Sequence, residues 1–237
     1  MSETVAPYAA HLSELRDRVI KSAIAVAVGS VVGFIVHEQV LAFLAEPYNA
    51  AVPDSALAFF RPTEAFSLVM RISLWTGAIL ASPVILYQTW RFVAPALNRR
   101  EKKWAIPLTI IFVVLFLAGI TVGYLALSRG LVFLIDFGGD ALEPVIGADL
   151  YFKFAMRFLL AFGIAFEFPV FLFAAAAFGA VNSTQLRSSR RWAVVIILVV
   201  AAFITPSGDP LTLLMLATPM YLLYEVTILA VRFILKK

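Results

Sequence analysis

Cysteine is absent from this 237-residue sequence, and histidine occurs only at His11 and His37. Without thiolates, disulfides and thiolate-bound metals are excluded. Two histidines in different segments leave nothing to hold a haem or a catalytic metal, so no cofactor is expected. Charge is scarce too, with Asp, Glu, Lys and Arg making up 14% of the chain against 62% hydrophobic residues. A soluble domain of this length needs far more polar surface, because much of any globule faces water. No GxxxxGK[ST] loop, HExxH pair or GxSxG elbow occurs, and no nucleophile–base set is visible, so enzymatic chemistry is not expected. Any work must draw on an ion gradient, a partner or the binding energy of a client.

What the sequence does have is long apolar runs. A helix needs roughly 20 apolar residues to cross the hydrocarbon of a bilayer. Six runs qualify or nearly qualify, at 19–37, 72–90, 104–127, 154–180, 192–205 and 211–231. They predict an all-α, polytopic membrane protein of six transmembrane helices in one domain covering 1–237. No internal repeat or low-complexity tract interrupts it. Pro83 is expected to interrupt the second span. The stretch 38–62 is punctuated by Pro47, Pro53 and Pro62 yet keeps apolar helical turns, which fits an ordered outer cap with short amphipathic helices. A second outer loop, 128–153, carries Asp136, Asp140, Glu143 and Asp149. The fifth and sixth spans read as shortened and are joined by the tight turn 206–210. There Asp209 is placed to cap the sixth helix, with Pro210 at its first position.

Orientation follows from Lys and Arg. Of the 19 basic residues, 14 fall before or at the start of the first span, between the second and third, between the fourth and fifth, and after the sixth. The opposite side holds only Arg61, Arg71, Arg129, Lys153 and Arg157. The basic side is expected to be cytoplasmic, and an even number of spans puts both termini there. Because these charges flank apolar runs, they are read as orienting the chain and not as binding nucleic acid. The first ten residues carry Glu3 and no basic residue, and no small-residue cleavage site follows a short apolar core. The first span is therefore expected to act as an uncleaved anchor.

A few polar residues stand out. In the lead-in to the first span, His11-Leu12-Ser13-Glu14-Leu15-Arg16-Asp17-Arg18, Glu14 and Arg18 are four apart, as are Asp17 and Lys21. Both pairs fit ordinary i,i+4 helix contacts. Asn98 with Glu101 three residues later fits a capping box opening the third helix. Glu167, near the middle of the fourth span, is costly at that depth and must be protonated, paired or hydrated in a cavity. Pro169 beside it removes one helix hydrogen bond and frees the carbonyl of Ala165. The pair fits either a polar concavity or a structural hydrogen bond to a neighbouring helix. Glu225, nearer the cytoplasmic end, is in reach of the interface or of an Arg, and Gln88 is a candidate polar neighbour for these acids.

The stretches 11–16, 82–97 running on to Glu101, 166–170 (Phe-Glu-Phe-Pro-Val), Ile204-Thr205-Pro206 and Pro219-Met220-Tyr221 form a recognisable set. Together they resemble the TatC family, the multi-spanning receptor subunits of the twin-arginine protein translocase. The resemblance covers nearly the whole chain, and its long second stretch is the specific one. It implies a six-helix, glove-like bundle in a prokaryotic inner membrane. It also implies binding of the twin-arginine signal peptides of folded clients, with export driven by the proton-motive force. Expected partners are single-span subunits of the TatA and TatB type, docking on the fifth and sixth helices, together with membrane lipid and further copies of the chain. The family's recognition acids fall on Glu14 and Glu101. Arg16, Phe92 and Pro95 lie in the same two motifs, Pro47 matches a proline of the first outer loop, and Glu167 matches a polar intramembrane position facing the concave side. Asp209 and Glu225 are carried as structural or partner-contacting positions.

The chemistry suits this implication. Two adjacent arginines present planar guanidinium forks that prefer carboxylates with two-point geometry, whereas lysine keeps the charge and loses the paired bonds. The competing expectation is a proton-coupled secondary transporter of a small solute, using Glu167. The matched halves common in such transporters are not seen.

Overall fold

The computed structural model describes residues 5–53, 56–93, 105–139 and 144–235. Among these the backbone is almost entirely helical, and its only β feature is an isolated bridge between Ala58 and Gly147. The helices are α1 (Val5–Ile35), α2 (His37–Ala51), α3 (Glu64–Val93), α4 (Ala105–Asp136), α5 (Ala148–Ala165), α6 (Phe168–Ala177), α7 (Ser183–Ser188), α8 (Arg190–Ile204) and α9 (Pro210–Ala230). A π-helical turn, Val231–Leu235, continues α9. Among the described residues, five helical stretches are long and apolar enough to cross a membrane: Leu12–Ile35, Glu64–Phe92, Pro107–Asp136, Ala148–Ala177 and Pro210–Leu235. Their mean hydropathy runs from 1.6 to 2.7.

Several boundaries differ from expectation for physical reasons. Hydrophobicity alone ends the third span at 127, but α4 continues to Asp136, because Ser128 and Arg129 end an apolar run without ending a helix. Pro83 lies inside α3 and does not interrupt it. A lost backbone bond is tolerated in a membrane helix when neighbours or local adjustment satisfy the freed carbonyl. The expected shortening is confined to α8, whose 15 residues reach only about 22 Å at 1.5 Å per residue. The last helix, read as shortened, spans 26 residues once its π turn is included.

The chain divides into two compact units, Met1–Val40 with Phe66–Val113, and Leu41–Ala65 with Val114–Lys237. In the first, α1 and α3 meet along small residues. A Cβ on Gly29 would sit 2.7 Å from the Gly77 carbonyl oxygen, and one on Gly77 only 2.4 Å from the Ser30 nitrogen. Lipid gives apolar helices no reason to cluster, so backbone proximity at Gly and Ser supplies the packing. Ser30 and Ser73 return their hydroxyls to the carbonyls of Val26 and Val69, at 2.8 and 2.7 Å, and expose no polar group to lipid.

In the second unit α5 is the most enclosed element, with Tyr151, Phe152, Phe158 and Phe162 all buried. Gly119 and Gly163 let α4 and α5 close on one another against Phe162 and Phe116. Helices α8 and α9 form a hairpin, and α6 packs on α9. The turn between α8 and α9 uses Gly208 at φ +66°. Asp209 accepts the Thr212 backbone N–H at 2.8 Å, with Pro210 opening the helix, as the spacing predicts.

Candidate functional site

The lead-in to the first span is part of α1, so helix geometry fixes its side chains. Glu14 and Arg18 lie one turn apart and pair. Arg18 donates from Nη2 at 2.5 Å and from Nε at 3.2 Å, both to Oε1 of Glu14. Its Nη1 donates at 3.0 Å to Oε1 of Gln88 on α3, 70 residues away. Gln88, read as a neighbour of the intramembrane acids, thus has its hydrogen bond with Arg18. The Arg18 side chain is 13% exposed and that of Glu14 is 32% exposed, so the acid is reachable while its partner is largely enclosed. Arg16 pairs with Asp17 at 3.0 Å in the open, a contact of about 1 kcal/mol at most.

Phe92 is half-buried in the last turn of α3, next to Arg91, whose guanidinium lies 6.0 Å from the centre of the Tyr87 ring. Glu101 and Pro95, with the Asn98–Glu101 capping box, lie outside the described residues. Of the two candidate recognition acids, only Glu14 therefore has a geometry.

Glu167 sits in the second unit at the break between α5 and α6, where Pro169 enters the new helix. The break leaves the Glu167 carbonyl accepting from Val170 and Phe171, at 3.0 and 3.3 Å. Its side chain is 5% exposed, and neither carboxyl oxygen has a partner among the described residues.

Pro47 lies within α2 and has a definable role. Proline cannot donate to the carbonyl four residues back, which here is Phe43. That freed carbonyl is taken by the Tyr124 hydroxyl at 3.0 Å, which is also 3.0 Å from Glu46 Oε2. The Phe43 and Tyr124 rings stack with centroids 4.1 Å apart. Glu225 reaches an arginine, as one of its two expected outcomes, accepting from Arg190 at 2.6 Å and from Tyr221 at 3.0 Å. Arg190 opens α8, where a cation opposes the helix dipole, and Glu225 offsets it.

Asp209 is held below the usual carboxylate range. Burial is the largest single influence and pushes it up, but bonds from the Ser207 and Thr212 hydroxyls and the Thr212 backbone N–H together outweigh it. A depressed folded-state value means that the cap's contribution is full above the ordinary aspartate range and is lost as pH falls through the folded value.

Glu64 was not singled out by the sequence. Its Oε2 accepts the backbone N–H groups of Phe60 and Arg61, at 2.9 and 3.2 Å, and its Oε1 accepts that of Asp149 at 3.2 Å. Beside it, Ala148 N–H donates to the Ala58 carbonyl at 2.9 Å. One carboxylate thus fastens the segment before α3 to the start of α5 within the second unit. Its only local signal is an acid in the first turn of a helix, and the Asp149 partner is too distant to read.

The family model for the Sec-independent protein translocase protein TatC matches residues 10–219. A relative of that description from Desulforapulum autotrophicum is 38% identical over 99% of this chain and 87% of its own length. One from Aquifex aeolicus is 40% identical over 94% of this chain and 93% of its own. One from Frankia casuarinae is 37% identical over 94% of this chain, which spans only 65% of that longer protein. Two crystal structures of the twin-arginine translocase receptor TatC superpose with TM-scores of 0.76 and 0.80 at 40% and 39% identity. They cover 92% and 93% of this chain, and 96% and 99% of their own. These matches support protein transport and not the solute-transporter alternative. The chain is a multi-pass membrane protein of a prokaryotic inner membrane, and it belongs to the TatC family of Sec-independent protein translocase proteins.

Proposed function

We propose that the chain is the signal-peptide receptor and core subunit of a twin-arginine translocase. In this reading it binds paired arginines on folded clients at the cytoplasmic rim, and the complex exports them using the proton-motive force. The observation that carries the reading is the family match over 10–219, with Glu14 held at the start of the first span in a guanidinium-binding geometry. Glu101 is the second acid, and Arg16, Phe92 and Pro95 belong to the same rim. Both termini are cytoplasmic, α8 is the fifth of six crossings, and single-span subunits of the TatA and TatB type dock along α8 and α9. The role is that of a transport component, not an enzyme.

The test places a photo-crosslinker beside each acid, at Leu15 and Lys102, in native-like membranes. A signal peptide carrying Arg-Arg is compared with one carrying Lys-Lys. Labelling that requires Arg-Arg and falls in both Glu14→Ala and Glu101→Ala is the expected result. Equal labelling by both peptides, unchanged in the variants, would reduce the acids to local helix contacts.

A further inference from the structure

The acid proposed to receive a guanidinium already holds one. Arg18 places two N–H groups on a single oxygen of Glu14, while the opposite end of its fork is fixed by Gln88 from another helix. A pair on the open surface would exchange freely with water, but here the guanidinium is largely enclosed and three of its bonds are satisfied by protein. Both Arg18 bonds fall on Oε1 of Glu14, and none is made to Oε2 among the described residues. An incoming fork that seeks both oxygens must therefore displace Arg18 or turn the carboxylate away from it.

We propose that Arg18, anchored by Gln88, is an internal competitor that occupies Glu14 in the peptide-free protein and sets the affinity threshold for basic peptides. This rests on the receptor reading above. When a site is available only for a fraction of the time, the apparent affinity of every ligand falls by that fraction. The factor is the same for strong and weak ligands. Paired arginines, with two-point bonds, stay above the threshold, and lysines or single arginines fall below working occupancy. Arg18 thus sets the level of affinity for every basic peptide and leaves the ratio of affinities unchanged.

The experiment measures binding of Arg-Arg and Lys-Lys signal peptides to the full chain in lipid nanodiscs. Wild type, Arg18→Gln, Gln88→Leu and Glu14→Gln are compared. In Arg18→Gln both peptides should bind more tightly, each by about fivefold, with their ratio preserved. Gln88→Leu leaves the charge in place and loosens only the anchor, so it should move both in the same direction by less. Thermal unfolding of each variant separates a binding change from a folding defect. Weaker or unchanged Arg-Arg binding in Arg18→Gln, with Gln88→Leu also unchanged, would overturn the proposal and make Arg18 a positioning group for Glu14. If the wild type shows no Arg-Arg binding that depends on Glu14, the receptor reading fails and this inference with it.

Discussion

Enclosing a polar group without a partner costs about 1–3 kcal/mol, and Glu167 encloses two oxygens with none among the described residues. Replacing the acid with a shape-filling apolar side chain removes the penalty. Glu167→Leu should therefore raise the unfolding free energy by about 1–2 kcal/mol, read as a higher thermal midpoint in detergent. Glu167→Gln keeps an unpartnered polar group and should give no such gain. A fall in stability for the leucine variant would mean that the carboxyl has a partner and a structural task. At this scale the sequence was legible where partners are one turn apart, as for Glu14 with Arg18 and for Asp209 with Thr212. It singled out Gln88 but not its partner Arg18, and it was silent on Glu64; these partners lie 70 and 85 residues away and leave no periodic trace.

Helices α1 and α3 touch through backbone at Gly29 and Gly77, where even one added carbon meets main chain at 2.4–2.7 Å. Main-chain atoms cannot rotate aside as a flexible side chain does. Gly77→Val should therefore force the helices apart and cost about 1–3 kcal/mol, measurable as a lowered thermal midpoint. A substitution at exposed Leu80 on the same helix should be close to silent. An unchanged midpoint in Gly77→Val would show that the α1–α3 approach is not what holds the first unit together. Hydrophobic runs located the helices well because lipid contact demands apolar side chains over about 20 residues. They misplaced ends such as that of α4, since a helix emerging from the bilayer needs only backbone bonds to continue. They also read Pro83 as an interruption and Pro169 as a kink, although residue type is the same. The difference lies in the tertiary surroundings, which no local pattern encodes.

The molecule as a whole is asymmetric in charge, with 14 of its 19 basic residues assigned to one side. Since the natural sequence has no cysteine, single cysteines report topology without background. Ser188→Cys, between α7 and α8, should react with a membrane-impermeant maleimide only after the cytoplasmic side is opened. Ser207→Cys, in the turn between α8 and α9, should react in intact cells. Labelling of both from one side would mean that α8 does not cross, which its length of 15 residues makes the pertinent question. The clasp at Glu64 has a bearing on the order of assembly. Residues 41–65 are synthesised early, yet they belong to the unit completed by everything after Val114, and Asp149 follows Glu64 by 85 residues. At roughly 5–20 residues per second, the ribosome delivers that partner several seconds later. During that interval Glu64 lacks the Asp149 N–H, and its place is taken by water. This part of the fold is therefore finished late, by a segment that has to be made before the earlier one can close.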